Sequence, residues 1–427
     1  MKDPAGKDRF FDEKRETMPW GRREEELNKK FLKIFRHVME HSMAYREIYA
    51  SAGIEVSDIR GLDDLEKLPI LRMEDLLERQ KAAPPFGGFE AVDTGKIRRI
   101  YLNPGMIWQP GEWDYEDTSL AEALCAAGVR AGNRVINTFS YSMWPFAFML
   151  DESLKMLGAT VIPTGIGNTL MQVKIMHMLS VDVFIGTPSF AMTLLQRAEN
   201  MGLDLKKDIS LRTAVVSAEF LPESLRSRIE EKLDMVVRQV YGNVFMGCIG
   251  YECPYLNGLH VPDNILVEVV NPETGREVEL GAAGEIVATN FNLTYPMIRM
   301  ATGDLSMWAR EACLCGRTGP MLERILGRID QATTVKGTFV HPWQTDEVIS
   351  RYPEIFKYQV IITRENNMDV MTFMVELSEE ISQPDLFCSR IERDIKDMLT
   401  IRGTVQIVPR GTIPDFHKKI EDKRMWE

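Results

Sequence analysis

The sequence predicts an α/β protein: a large N-terminal domain of mostly parallel sheets flanked by helices, followed by a small α+β C-terminal domain. Three observations predict it. From about residue 130, short apolar runs alternate with longer helical ones, as strands and crossover helices do in parallel sheets. After residue 330 the pattern changes to a few strands around one helix. The length, 427 residues, exceeds what one hydrophobic core ordinarily organises, so two domains are expected.

Taken in order, Leu27, Phe31, Ile34, Phe35, Val38 and Met39 recur at helical spacing and predict an amphipathic helix over residues 24–50. The alternating region predicts strands at 134–138, 159–163, 181–185, 213–216 and 236–240, with helices at 144–157, 169–179, 189–201 and 222–233 between them. Ligands on such sheets sit at the carboxyl ends of strands. There the chain places Gly165-Ile166-Gly167-Asn168, Gly186-Thr187-Pro188-Ser189 and Ser217-Ala218-Glu219. The C-terminal part predicts strands near 358–363, 369–376 and 404–408 and a helix over 385–399. The change of character at Gly327–Asp330 sets expected domains of 1–326 and 331–427.

Composition narrows the function classes. With 44% apolar and 27% charged residues the chain reads as globular. A net charge of −12 with no basic patch argues against a nucleic-acid or anionic-membrane partner, while small anionic ligands remain open. The charged N-terminus lacks the apolar core of a signal peptide, and no apolar run is long enough to span a bilayer. Six cysteines in this length suggest no disulfide framework. A cytoplasmic protein is expected, and a homodimer is compatible with the sequence.

Cys253, His260, Cys313 and Cys315 form a candidate metal set. Three thiolates and an imidazole make a closed tetrahedral Zn²⁺ site of the structural kind. Cys313-Leu314-Cys315-Gly316 is bracketed by charge and a turn glycine rather than by an apolar run. The other reading is two buried free cysteines and an unrelated pair. Cys125, Cys248 and Cys388 lie in apolar or helical surroundings and are expected to be core residues.

A run of motifs crosses the second half. In order it reads Tyr241-Gly242, Asn257-Gly258-Leu259-His260, Asn271-Pro272-Glu273-Thr274-Gly275, Gly284-Glu285-Ile286-Val287, Arg299-Met300-Ala301-Thr302-Gly303-Asp304 and Gly327-Arg328-Ile329-Asp330. That series resembles the phenylacetate–CoA ligase branch of the adenylate-forming (acyl-CoA synthetase) superfamily, with likeness from about residue 20 to the C-terminus. The resemblance implies the adenylate-forming fold, a mobile C-terminal domain, and binding of ATP or AMP, CoA and a carboxylic acid or acyl-CoA. It places Ser217, Ala218, Glu219, Tyr241 and Gly242 beside the adenine, and Asp304 on the ribose hydroxyls. Arg328 falls on the ribose or phosphate side, and Asp330 at the hinge. Lys418, or else Lys419, is implied as the catalytic lysine, and Tyr141 and Trp144 as lining the acyl pocket. Members of the family carry cysteines comparable to those of the candidate Zn²⁺ set.

Two stretches depart from the family pattern. A phosphate loop works through glycines and hydroxyls whose donors converge on the anion. This chain reads Asn103-Pro104-Gly105-Met106-Ile107-Trp108-Gln109-Pro110, and Pro104 removes a donor. The family's hydroxyl residue and Mg²⁺-binding glutamate are replaced by Val244 and Phe245, which offer a hard cation no oxygen ligand. Trp108 is expected to be packed into the N-terminal domain. Two readings follow: a divergent aryl- or acyl-CoA ligase, or a ligase-derived protein that binds acyl-CoA or nucleotide, or acts on already activated acyl groups.

Overall fold

Val135, Ile136, Phe184, Ile185, Val215 and Val237 are all buried, because helices cover both faces of the strands that carry them. The computed structural model describes residues 9–103, 106–111, 117–329, 333–335, 338–340, 342–365, 368–399, 401–414 and 418–424. It divides into two compact units. The first comprises Met1–Leu221, Leu225–Thr302 and Met307–Arg324; the second comprises Pro222–Ser224, Gly303–Ser306 and Ile325–Glu427.

The first unit opens with helices. The single helix expected over 24–50 is two, Trp20–His41 and Met43–Ser51. Ser42 separates them: its backbone is extended, and its hydroxyl accepts from Tyr45 N at 3.5 Å while donating to Gly88 O at 2.8 Å. A serine that caps the next helix stops the first one, whatever the apolar periodicity. A hairpin follows, β1 (Arg99–Asn103) and β2 (Ile107–Gly111), with Asn103 opposite Ile107.

Next come β3 (Arg134–Asn137), β4 (Thr160–Pro163), β5 (Val183–Gly186), β6 (Thr213–Val216), β7 (Val236–Asn243), β8 (Gly247–Glu252) and β9 (Leu259–His260). After β10 (Ile265–Val270), β11 (Gly284–Asn290) and β12 (Met300–Ser306), the chain returns as β13 (Met321–Leu322). The main sheet has the order β13-β9-β8-β7-β6-β5-β3-β4. It is parallel from β4 through β7 and antiparallel from β7 through β13. Helices Pro145–Met156, Thr169–Met178, Pro188–Asn200 and Glu223–Leu233 make the crossovers, each within two residues of its expected bounds. Pro145 and Pro188 each stand at the start of a helix, where a missing N–H goes unnoticed.

The second unit contains β14 (Gly327–Arg328), which pairs antiparallel with the Asp304–Leu305 end of β12. A small hairpin, β15 (Thr333–Val335) and β16 (Thr338–Val340), precedes helix Pro342–Ile349. Then β17 (Ile355–Glu365), β18 (Met368–Leu377), β19 (Thr404–Ile407) and β20 (Ile420–Asp422) form a mixed sheet of order β19-β18-β17-β20. Helix Pro384–Leu399 packs Ile391 and Ile395 onto Val360, Ile362, Phe373 and Val375. Asp330 lies outside the described residues. Among the described residues no helix is long and apolar enough to cross a membrane.

One buried ion pair fixes the start of β12. Arg299, 2% exposed, donates through Nε and Nη2 to Glu268 at 3.1 and 2.8 Å. Its remaining donors reach the carbonyls of Leu68, Glu66 and Gly275 at 2.7, 3.2 and 2.8 Å. Burial pushes the Glu268 carboxyl up, and the Arg299 charge opposes that. Breaking one side of such a pair leaves a buried charge alone, so Arg299→Met should destabilise the protein by about 3–5 kcal/mol in chemical denaturation. Adding Glu268→Leu should recover part of that loss. A loss under ~1 kcal/mol for the single variant would contradict this account.

Candidate functional site

The carboxyl ends of β5 and β6 are joined by side chains. Ser189 donates from its backbone N–H and its hydroxyl to the two Glu219 oxygens, at 3.1 and 2.8 Å. Ser217 is buried and its N–H donates to Gly186 O at 3.2 Å. Ala218 between them has φ of +67°, a left-handed conformation that a residue with a Cβ adopts only when its neighbours hold it there. On β7, Tyr241 is half-buried, and Gly242 sits at a register shift against β8. A Cβ on Gly242 would run into the Gly247 carbonyl, so glycine is a steric requirement there. Of the five residues named for the adenine, Ser217, Ala218 and Glu219 thus lie in the turn after β6, and Tyr241 and Gly242 on the adjoining β7.

The hairpin of β1 and β2 departs from expectation in how it packs. Side chains alternate along a strand, so Ile107 points in at 1% exposure and Trp108 points out at 36%. Trp108 is therefore not packed into the domain as anticipated, and Ile107 takes that role. The Trp108 backbone is held by Gln80, which accepts from its N–H at 2.8 Å and donates to its carbonyl at 2.6 Å. Asn103 donates to Gln109, whose amide donates to Val244 O at 3.0 Å, tying the hairpin to the segment after β7. In that segment Phe245 is buried, its N–H on Asn243 Oδ1 and its carbonyl on Asn290 Nδ2. Pro104 and Gly105 lie outside the described residues.

In the second unit Asp304 and Arg328 face each other across β12 and β14, with Nη1 3.4 Å from Oδ1. The Asp304 side chain is 19% exposed and that of Arg328 49%, leaving both with a solvent-facing side. The two tail lysines differ. Lys419 Nζ lies 2.5 and 2.6 Å from the two Asp346 oxygens, and its charge sits over the Tyr358 ring at 5.9 Å. Tyr358 itself donates to Asp346 at 2.6 Å. Lys418 is exposed, and its backbone carbonyl accepts from Gln359 at 3.0 Å.

Near the carboxyl end of β3, Tyr141 is half-buried and Trp144 is 44% exposed. Tyr141 OH donates to Asp151 Oδ1 at 2.7 Å, and Asn137 Nδ2 reaches both Tyr141 OH and Asp151 Oδ1, at 2.9 and 3.1 Å. Neither Asn137 nor Asp151 was anticipated. Asp151 follows the apolar run Pro145-Phe146-Ala147-Phe148-Met149-Leu150 and precedes Glu152, so the local sequence offered no signal that set it apart.

Cys253, His260, Cys313 and Cys315 converge within the first unit. All four are buried, and one donor atom from each lies within 4.8 Å of the rest. Cys253 Sγ is 3.5 Å from Cys313 Sγ, and Cys315 Sγ is 3.4 Å from His260 Nε2. Ligand atoms around tetrahedral Zn²⁺ with bonds of about 2.0–2.3 Å stand roughly 3.5–3.8 Å apart, and the two shortest of these separations are near that range while the set as a whole lies within 4.8 Å. His260 Nδ1 is buried with no hydrogen-bond partner among the described residues. The Cys253 thiol, donating to Cys315, holds that sulfur well below the usual thiol range, with His260 adding to the effect against burial. Burial pushes Cys313 up. Cys253 is pushed up as well, chiefly by its hydrogen bond to Cys315, so a bound cation would have to displace the protons of two of the three thiols.

Residues 118–294 match the family described as AMP-binding enzyme, and residues 337–425 match the AMP-binding enzyme C-terminal domain. Phenylacetate-coenzyme A ligase of Thermus thermophilus is 30% identical over 93% of this chain and 95% of its own length. The chain belongs to the phenylacetate–CoA ligase-like branch of the adenylate-forming superfamily. The Escherichia coli phenylacetate-coenzyme A ligase is 29% identical, covering 89% of each chain. A 2-hydroxyisobutyryl-CoA ligase solved in its postadenylation state with R3-HIB-AMP superposes with a TM-score of 0.87 at 25% identity, over 98% of this chain and 93% of that one. Another structure of that ligase, in an open conformation, holds 2-HIB-AMP and CoA. Within this branch, the chain is an acyl/aryl-CoA ligase-like protein.

The contrast between the tail lysines can be tested. Lys419→Met removes the cation from a carboxylate that is 9% exposed, and should lower the stability of the second unit by about 1–3 kcal/mol in thermal melting. Lys418→Met should leave the melting curve unchanged. Equal effects from both would refute the distinction.

Proposed function

We propose that the protein is a divergent aryl- or acyl-CoA ligase, joining a carboxylic acid to CoA through an acyl-adenylate. What carries this reading is the Asp304–Arg328 pair on adjoining strands, in a chain that spans 95% of a ligase relative. In the first half-reaction the acid's oxygen attacks the α-phosphorus of ATP and pyrophosphate leaves. In the second the CoA sulfur attacks the acyl carbon, AMP leaves and the thiol proton passes to solvent. Asp304 accepts from the ribose hydroxyls, a role suited to an ionised carboxylate. Arg328 holds the ribose or phosphate side, and Ser217, Ala218, Glu219, Tyr241 and Gly242 frame the adenine. Lys418 supplies the charge at the α-phosphate, while Lys419 stays on Asp346. Residues 1–326 and 331–427 act as the two domains, with the hinge at Asp330.

The pyrophosphate end is the weak part of the site. Phe245 is buried and can ligate no Mg²⁺, and Met106, Ile107 and Trp108 supply no hydroxyl to a triphosphate. Those same residues favour a second reading, in which the protein works on acyl groups that arrive already activated. Calorimetry with AMP and with Mg·ATP, together with ATP–pyrophosphate exchange over a panel of acids, separates the two. The ligase reading expects AMP to bind, ATP to bind weakly with little Mg²⁺ dependence, and exchange to be measurable. Lys418→Ala should cut that exchange by about 10²-fold or more. AMP binding with no exchange for any acid would favour the second reading, and no binding of either nucleotide would sink the ligase reading.

The Cys253, His260, Cys313 and Cys315 set would hold one Zn²⁺ per chain in a closed, structural site. Elemental analysis of freshly purified protein should find close to one equivalent of zinc. Cys313→Ser should lower both zinc content and melting temperature. Protein that is metal-free without chelators would overturn the assignment.

A further inference from the structure

The network at the carboxyl end of β3 has one acceptor left over. Asn137 Nδ2 and Tyr141 OH both donate to the same Asp151 oxygen, Oδ1. Among the described residues no hydrogen bond reaches Oδ2 and no cation pairs with this carboxylate. Asp151 is nonetheless half-buried, and burial pushes its carboxyl up against the pull of its two donors. Oδ2 is not fully enclosed, so a ligand that displaced the solvent there would have to supply a donor in its place.

The surroundings indicate what would bring such a donor. The Tyr141 ring meets Phe148 edge-on at 5.3 Å, and Phe148 lies 5.9 Å from Tyr101 on β1. Phe139 and Phe146 form a second edge-on pair at 4.9 Å. Gly165, in the turn after β4, brings its backbone against the Tyr141 ring, where a Cβ would stand 3.7 Å from Cδ2. The loop over this cluster carries Met143 with φ of +65° and leaves Met143 and Trp144 exposed. An acceptor oxygen therefore stands among aromatic rings at the edge of the sheet where ligands of this architecture bind.

We propose that Asp151 selects the acid, accepting a hydrogen bond through Oδ2 from a ring hydroxyl of an aromatic carboxylic acid. Asn137 and Tyr141 act as positioning residues, turning the carboxylate so that its second oxygen is presented. This inference rests on the ligase reading above, since it names the substrate class of that same acyl site. It makes an unsubstituted aryl acid the poorer ligand, because that acid leaves Oδ2 without a donor.

The test is calorimetry on the full chain with non-hydrolysable phenylacetyl-adenylate and its 2-, 3- and 4-hydroxyphenyl congeners. At least one hydroxylated analogue should bind on the order of tenfold to a hundredfold more tightly than the parent. Asp151→Asn keeps the volume and an oxygen for Tyr141 and Asn137, but replaces the free acceptor by an amide. In that variant the hydroxyl advantage should vanish while the parent analogue binds as before, with the melting temperature confirming an intact fold. A purely structural Asp151 would weaken all four analogues alike. That outcome, or equal affinities for the four in the unmodified protein, or an advantage surviving in Asp151→Asn, would overturn the proposal. Failure of every analogue to bind would instead bring down the ligase reading on which it stands.

Discussion

The Arg299–Glu268 pair is the constraint on which the arrangement of the first unit depends. Five donors of one guanidinium are shared among a carboxylate on β10, two carbonyls from the segment before Leu71 and the Gly275 turn. Arg299 itself has φ of +50°, and its carbonyl accepts from Leu71 N while Ala301 N donates to Leu71 O. An arginine can satisfy so many acceptors only because its donors are fixed in a plane. The consequence is that β12 begins at a defined place and direction. Four residues beyond Met300 it carries Asp304, the carboxylate proposed for the ribose.

A second polar knot ties the N-terminal segment to the cysteine cluster. Arg317 follows Cys315 by two residues and donates its backbone N–H to that sulfur at 3.5 Å. Its guanidinium contacts Glu16 at 2.8 Å, Tyr251 OH at 3.0 Å and Arg9 O at 2.7 Å. Glu16 in turn accepts from the N–H groups of Phe11 and Asp12. Close by, Arg23 pairs with Asp263, and burial together with Asp263 and Glu16 pushes the Glu122 carboxyl far up. So many buried ions are tolerated because each cation meets more than one acceptor. A cation at Cys253, His260, Cys313 and Cys315 would bear on the first turns of the chain as well as on β9.

Polar positions that are held contrast with apolar positions that are filled, in each unit taken by itself. Glu219 is clamped by Ser189, Asp346 by Lys419 and Tyr358, and Asp304 by Arg328, each through paired polar atoms. Phe245 and Ile107 instead occupy the interior, and their backbones are bound by Asn290 and, next to Ile107, by Gln80. Apolar side chains at these two places strengthen packing and supply nothing to an anion or a hard cation. The paired polar groups and the packed apolar ones are therefore held by different physical principles in this chain.

Local order determined much of the fold from the sequence alone. Strand and helix periods are short-range properties, so the parallel series, its crossover helices and the C-terminal strands were legible residue by residue. Cysteine and histidine chemistry likewise pointed to Cys253, His260, Cys313 and Cys315 without any knowledge of their distance. The tertiary structure decided what depends on contacts between distant residues. Ser42 ends a helix whose apolar stripe continues, because its hydroxyl finds Gly88. Trp108 lies outward and Ile107 inward, because register against β1 sets which face of β2 is covered. Lys419 is occupied and Lys418 exposed, because β20 lies beside β17 and brings one of two adjacent lysines to Asp346. Asp151 gains its meaning only beside Asn137 and Tyr141, since a carboxylate next to Glu152 in a helix does not by itself reveal which groups surround it. Hydrogen-bond partners far apart in sequence leave no periodic trace, and only the folded chain brings them within reach of one another.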